Sequence, residues 1–123
     1  MLKVMAFLVK RQGVDTGDLI NYYERHHVPL ILSLAPAPAT YKRNYLVRDA
    51  NTSGPDDFDI VTELVFPDRE AYQSWVSTMY APGSGVADDE KTFLDRTRTR
   101  SYVVEEHVTD NLKHHSDSRA DSL

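Results

Sequence analysis

The chain has 123 residues, room for one compact domain with a single sheet and a layer of helices. It is 41% apolar and 27% charged, ordinary for a globular protein, and its net charge of -5 is the wrong sign for a nucleic-acid surface. Disulfides and thiolate chemistry are excluded by the lack of cysteine, and no apolar run nears the roughly 18 residues of a membrane span.

Residues 2–10, LKVMAFLVK, are predicted to form a strand apolar on both faces, with Leu2, Val4, Ala6 and Leu8 on one and Met5, Phe7 and Val9 on the other. No signal-peptide layout is visible here, so a cytoplasmic protein is expected. The turn RQGVDTG follows, and Asp15 with Asp18 three later marks a helix start. Ile20, Tyr23, His27, Leu30 and Leu34 then recur at helical spacing and define one face. Pro29 predicts a kink or an end near Val28, because it has no N–H and crowds the turn before it.

TYKRNYLVR (40–48) reads as a second strand and NTSGPDD as a loop. DIVTELVF (59–66) is a third strand, apolar on both faces apart from Thr62 and Glu63. Ala71, Tyr72, Trp75, Val76 and Met79 make a second amphipathic helix, which APGSG breaks. VADDEKTFLDR gives a short further helix and SYVVEEHV (101–108) the last strand. The domain therefore runs over 1–109, and the nearly apolar-free remainder, 110–123, is a polar tail.

The order β-α-β-β-α-β is the ferredoxin-like arrangement, an α+β fold on a four-stranded antiparallel sheet. Helices can cover only one face of that sheet, yet strands 1 and 3 are apolar on both. A second copy packed sheet against sheet is the simplest cover, so a homodimer through the sheet face is expected.

With those elements in place the chain resembles the EthD family of the dimeric α+β barrel superfamily. The resemblance rests on the aromatic pair Tyr22-Tyr23, then His27-Val28-Pro29-Leu30, the strand DIVTELVF, Trp75 on the following helix, DDEKTFLD, and the closing VVEEHV. It spans residues 2–108, with His26 a departure, since the family usually has another residue there. It implies a dimeric barrel and a cavity between helices and sheet that holds a small, often aromatic or polyketide-like, molecule. Relatives include cofactor-free dehydratases and cyclases, lactone isomerases and monooxygenases, so the cavity is implied more firmly than the reaction.

Among the residues that could do chemistry, His27 shares the apolar stripe and should point between helix and sheet. An imidazole, with an ordinary pKa of about 6.5, is the usual proton carrier near neutral pH. The alternative is a buried histidine bonded to a carbonyl or carboxylate with no catalytic part. His26 lies ~100° round the helix axis, at the pocket rim, at the dimer seam or merely half-exposed. Asp59 could orient His27 or bind a substrate hydroxyl, or instead cap its loop. Tyr23 could offer a phenol to a developing oxyanion, and Tyr72 and Trp75 could wall the substrate; packing is the competing role for all three.

Arg96, Arg98 and Arg100 fall on one face if RTRTR is extended, which could clamp a carboxylate or phosphate but reads first as a solvated edge balanced by Asp88, Asp89 and Glu90. Glu105, Glu106 and His107 point to alternating faces and give no three-ligand metal site. Three functions result: a cofactor-independent dehydratase, cyclase or isomerase with His27, Asp59 and Tyr23 in catalysis; a monooxygenase of the same barrel class; or a non-catalytic small-ligand binder. A small organic substrate is the expected partner, with no metal, no cofactor, no nucleic acid and no membrane.

Overall fold

The computed structural model describes residues 1–48 and 58–110; the loop NTSGPDD and all but the first residue of the expected tail lie outside them. Strand β1 (Leu2–Leu8) pairs on one side with β3 (Ile60–Phe66) and on the other with β4 (Arg100–Val104). β2 (Thr40–Tyr45) pairs with β3, and every pairing is antiparallel in the order β2-β3-β1-β4. This is the expected ferredoxin-like α+β sheet, although β2 and β4 stop short of the predicted 48 and 108.

Alternation along the strands sets the two faces. Val4, Ala6 and Leu8 of β1, with Ile60, Thr62, Leu64 and Phe66 of β3, are buried under the helices. The opposite face carries Met5, Phe7, Val61 and Val65, which remain half-buried through contact with one another. Phe7 packs edge-on against Phe58 and Tyr102 at ring distances of 4.9 and 6.0 Å, and Tyr102 is 54% exposed. Among the described residues no helix covers this side.

The first helix departs from expectation in an informative way. α1 (Thr16–Tyr22) starts at Asp15, whose carboxylate accepts from the Gly17 and Asp18 amides. It then passes into a π-helical turn, Tyr23–His27, and continues as α2 (Val28–Leu34). Pro29 does not end the helix; it stands just inside α2, directly after the π turn.

The regular bonding is interrupted instead one turn earlier, where the Val28 amide donates to the Tyr23 carbonyl, five residues back. That extra residue shifts the inward face. The predicted stripe 20-23-27-30-34 becomes Leu19, Tyr23, Val28 and Ile31, with a step of five at the π turn, and His27 stays buried beside it.

α3 (Arg69–Met79) opens at Asp68, whose carboxylate accepts from the Ala71 amide, and α4 (Val86–Phe93) follows Gly85. Gly85 has φ +84°, a backbone setting that glycine takes without strain and that aims α4 back over the π turn. Leu8, Leu19, Tyr23, Val28, Ile60, Phe93 and Leu94 pack together there as one apolar cluster.

Candidate functional site

A hollow of about 290 Å³ lies between the helices and the sheet. Its floor is apolar, from Val4, Ala6, Leu8 and Leu64, and Tyr23, Tyr41, Tyr72 and Trp75 form aromatic walls. Its polar end carries His27, Glu90, Arg96, Thr99 and Ser101.

The π turn brings His27 to this end, where the residue is only 3% exposed. Its Nδ1 lies 2.8 Å from Asp89 Oδ2, and Nδ1 must donate, because an ionised carboxylate only accepts. The other carboxylate oxygen of Asp89 accepts from the Tyr22 hydroxyl. Nε2 of His27 stands 3.7 Å from Glu90 Oε2, beyond direct hydrogen bonding and close enough for both to touch one substrate group. Glu90 is held by the Tyr80 hydroxyl at 2.8 Å and by Arg96 Nε at 3.0 Å.

The phenols around the site stay protonated. Its bond to Asp89 raises the Tyr22 pKa, while burial raises those of Tyr23 and Tyr41. Burial and then the neighbouring Glu90 carboxylate do the same to Tyr80. Tyr23, its hydroxyl 3.2 Å from Thr62 Oγ1, keeps its proton and is not a base. On the far side of the π turn, Glu24 takes a bidentate hydrogen bond from Arg43 and another from the Tyr45 hydroxyl, fastening the turn to β2. The Arg43 guanidinium holds the Glu24 carboxyl below its usual range.

Of the residues singled out in the sequence, His27, Tyr23, Tyr72 and Trp75 line the hollow. His26 does not; it is exposed and stacks on Tyr22 at 4.9 Å. Asp59 is absent from the lining too. Its carboxylate accepts from the Lys10 amide at 2.8 Å and from Arg48 at 3.0 Å, joining β1 to the start of β3. The three arginines do not share an extended face, because residues 96–98 turn: Arg96 meets Glu90, whereas Arg100 donates to the Thr97 and Thr99 carbonyls.

The carboxylates that meet His27, Asp89 and Glu90, were read in the sequence only as charge balance. A sharper signal was present. Val86, Asp89, Glu90 and Phe93 stand at i, i+3, i+4 and i+7, the core-facing positions of α4, so two acids occupy slots where apolar residues belong.

A helix-covered antiparallel sheet with an aromatic-walled hollow and a histidine–carboxylate pair makes this an α+β domain with a candidate small-molecule site. The EthD domain model matches residues 11–97, and the chain belongs to the EthD family. Solved structures agree on the fold. An EthD family protein (ethyl tert-butyl ether D) from Bacillus halodurans C-125 has a TM-score of 0.62 at 19% identity, covering 87% of this chain and 100% of that one. An EthD-like protein from Ralstonia eutropha JMP134 has a TM-score of 0.58 at 19% identity, covering 91% and 96%. A protein from Arabidopsis thaliana has a TM-score of 0.64 at 12% identity, covering 90% and 100%. No curated protein matches the chain. Among the described residues no helix is long and apolar enough to cross a membrane, and no cluster of three or more His, Asp or Glu could hold a metal ion.

Proposed function

We propose that this protein is a cofactor-independent enzyme that moves a proton on a small organic molecule, in a dehydration, cyclisation or isomerisation. The observation that carries the reading is a buried His27 whose Nδ1 is committed to Asp89 while its Nε2 faces the hollow. Commitment of Nδ1–H leaves the Nε2 lone pair free in the neutral ring, which is the tautomer a general base needs.

Nε2 takes a proton from carbon next to a substrate carbonyl, and the C–H electron pair moves toward that carbonyl as an enolate. In a dehydration the pair then forms the C=C bond as the β-hydroxyl departs. The proton carried by His27 goes to that hydroxyl, so substrate equals product plus water. In an isomerisation the same proton returns at another carbon. Glu90, beside Nε2, accepts a hydrogen bond from a substrate hydroxyl, and the Tyr23 phenol is a donor for the enolate oxygen. Phenols that stay protonated suit that part.

The size of the hollow narrows the substrate. A dry cavity of roughly 150 Å³ accommodates benzene, and this hollow is about 290 Å³. A compound of one or two rings fits within it. The apolar sheet face opposite the helices supports a homodimer, since apolar area left in water costs roughly 25 cal/mol per Å².

Trp75, the one tryptophan, lines the hollow, so fluorescence reports occupancy by members of a panel of one- and two-ring carbonyl compounds. Compounds that bind are then incubated in D₂O and followed by NMR for exchange at carbon next to the carbonyl, or for turnover. The wild type should catalyse exchange and His27→Gln should lose at least about 100-fold of it while still binding, the scale of a general base. Exchange by His27→Gln within a few-fold of wild type ends the proposal; tight binding with neither exchange nor turnover makes the protein a carrier.

A further inference from the structure

Tyr22 and His27 both bond the carboxylate of Asp89, one at each oxygen, although they are five residues apart on one helix. In an unbroken α-helix five residues turn through ~500°, which leaves the two side chains ~140° apart and pointing away from each other. They could not then meet one carboxylate. A turn closed by an i→i+5 hydrogen bond places residues five apart nearly one above the other, and here that bond runs from Val28 N–H to the Tyr23 carbonyl. The π turn is what makes the two side chains converge.

The next residue after that bond is Pro29. It has no N–H to offer the Arg25 carbonyl four residues back, and in α geometry its ring would press on that same oxygen. Widening the preceding turn relieves the clash.

We infer that Pro29 is a positioning residue for the site: it enforces the π turn that aims Tyr22 and His27 together at Asp89 and so fixes the His27 ring with Nε2 toward the hollow. This rests on the acid–base reading above for its purpose, though not for its geometry. Glu24, inside the same turn, is fastened to β2 by Arg43 and Tyr45, so the turn is held between the sheet on one side and α4 on the other.

The test is Pro29→Ala in protein carrying ¹⁵N-labelled histidine, with imidazole nitrogen shifts recorded above neutral pH. Wild-type His27 should show a protonated Nδ1 and a bare Nε2. In Pro29→Ala the turn relaxes toward α, the shared carboxylate is lost, and His27 shifts toward the Nε2–H tautomer that a free neutral ring prefers. The ring shifts decide, because losing the shared carboxylate itself lowers the melting temperature, whereas a proline with only a stabilising role would show a lower melting temperature and unchanged ring shifts. Unchanged His27 nitrogen shifts in folded Pro29→Ala overturn the inference and leave the proton-transfer reading to its own His27→Gln test.

If Pro29→Ala does not fold, Tyr22→Phe carries the test, since the hydroxyl shares the carboxylate with His27. A changed His27 Nδ1–H resonance supports the convergence, and an unmoved one refutes it.

Discussion

Removing the Asp89 carboxylate tests the central pair directly, without needing a substrate. In Asp89→Ala the Nδ1–H of a ring only 3% exposed loses its acceptor, and a buried donor left unmet costs about 1–3 kcal/mol. The Tyr22 hydroxyl, half-buried, turns to water and adds roughly 0.5–1 kcal/mol. The total, about 2–4 kcal/mol, is a large share of the 5–15 kcal/mol that holds a small domain folded. Urea denaturation reads it, with slopes of about 1–3 kcal/mol per M translating the loss into a midpoint lower by roughly 1–2 M. Every variant is measured at one protein concentration, because a dimer's apparent stability depends on it.

The size of the effect alone would not prove the contact, so His27→Ala and the double variant complete a cycle. A hydrogen bond to an ionised carboxylate predicts a coupling of about 1.5–3 kcal/mol between the two sites. Additivity within about 0.5 kcal/mol, the behaviour of independent positions, would refute the pairing.

Two further expectations concern the frame around the site. Glu24 titrates below its ordinary value in the folded protein because of Arg43, so its contribution is fully present above the unfolded value of 4.5 and is lost as pH falls through the lower folded value. Glu24→Gln should therefore be less stable than wild type at pH 7, with the gap narrowing in urea melts taken progressively below pH 4.5; a gap that stays constant with pH would count against the Arg43 bond as its source. Val61→Asp places a carboxylate in the middle of the sheet face proposed to pair two copies, and should leave a monomer by sedimentation equilibrium where the wild type is a dimer, with the circular dichroism unchanged. A mutant that sediments like an intact dimer would move the interface elsewhere.

The sheet was legible because its information is local. Alternation in LKVMAFLVK and DIVTELVF, punctuation at Pro67-Asp68 and APGSG, and cap residues at Asp15 and Asp68 each act within a few positions. The strand ends were less so. The ladders end at Tyr45 and Val104, although the Leu46 amide still donates to the Asp59 carbonyl, and nothing in LVR or EEHV marks those positions.

Half of the site was legible for the same reason and half was not. That His27 points inward follows from a periodic stripe, of which only Tyr23 and His27 stay fully buried once the π turn puts its step of five between Tyr23 and Val28. The turn itself could be anticipated as a disturbance at Pro29 but not as a π turn: a proline in mid-helix permits an end, a kink or a widened turn, and packing against α4 and β2 chooses among them.

The partner of His27 was harder still, because any carboxylate in the chain could have filled that place. Asp59 offered itself by opening a strand, yet the Lys10 amide and Arg48 already consume its oxygens where β1 meets β3. Asp89 lies 62 positions from His27 and reaches it only because Gly85 turns α4 across the helix. What marks Asp89 and Glu90 beforehand is their cost. A carboxylate between Val86 and Phe93 on a core-facing stripe gives up hydration and must recover it from donors, and an isolated helix of this composition would place leucine there. Acids kept in such slots imply donors waiting opposite, and the donors found are Tyr22, His27, Tyr80 and Arg96, the last three lining the hollow.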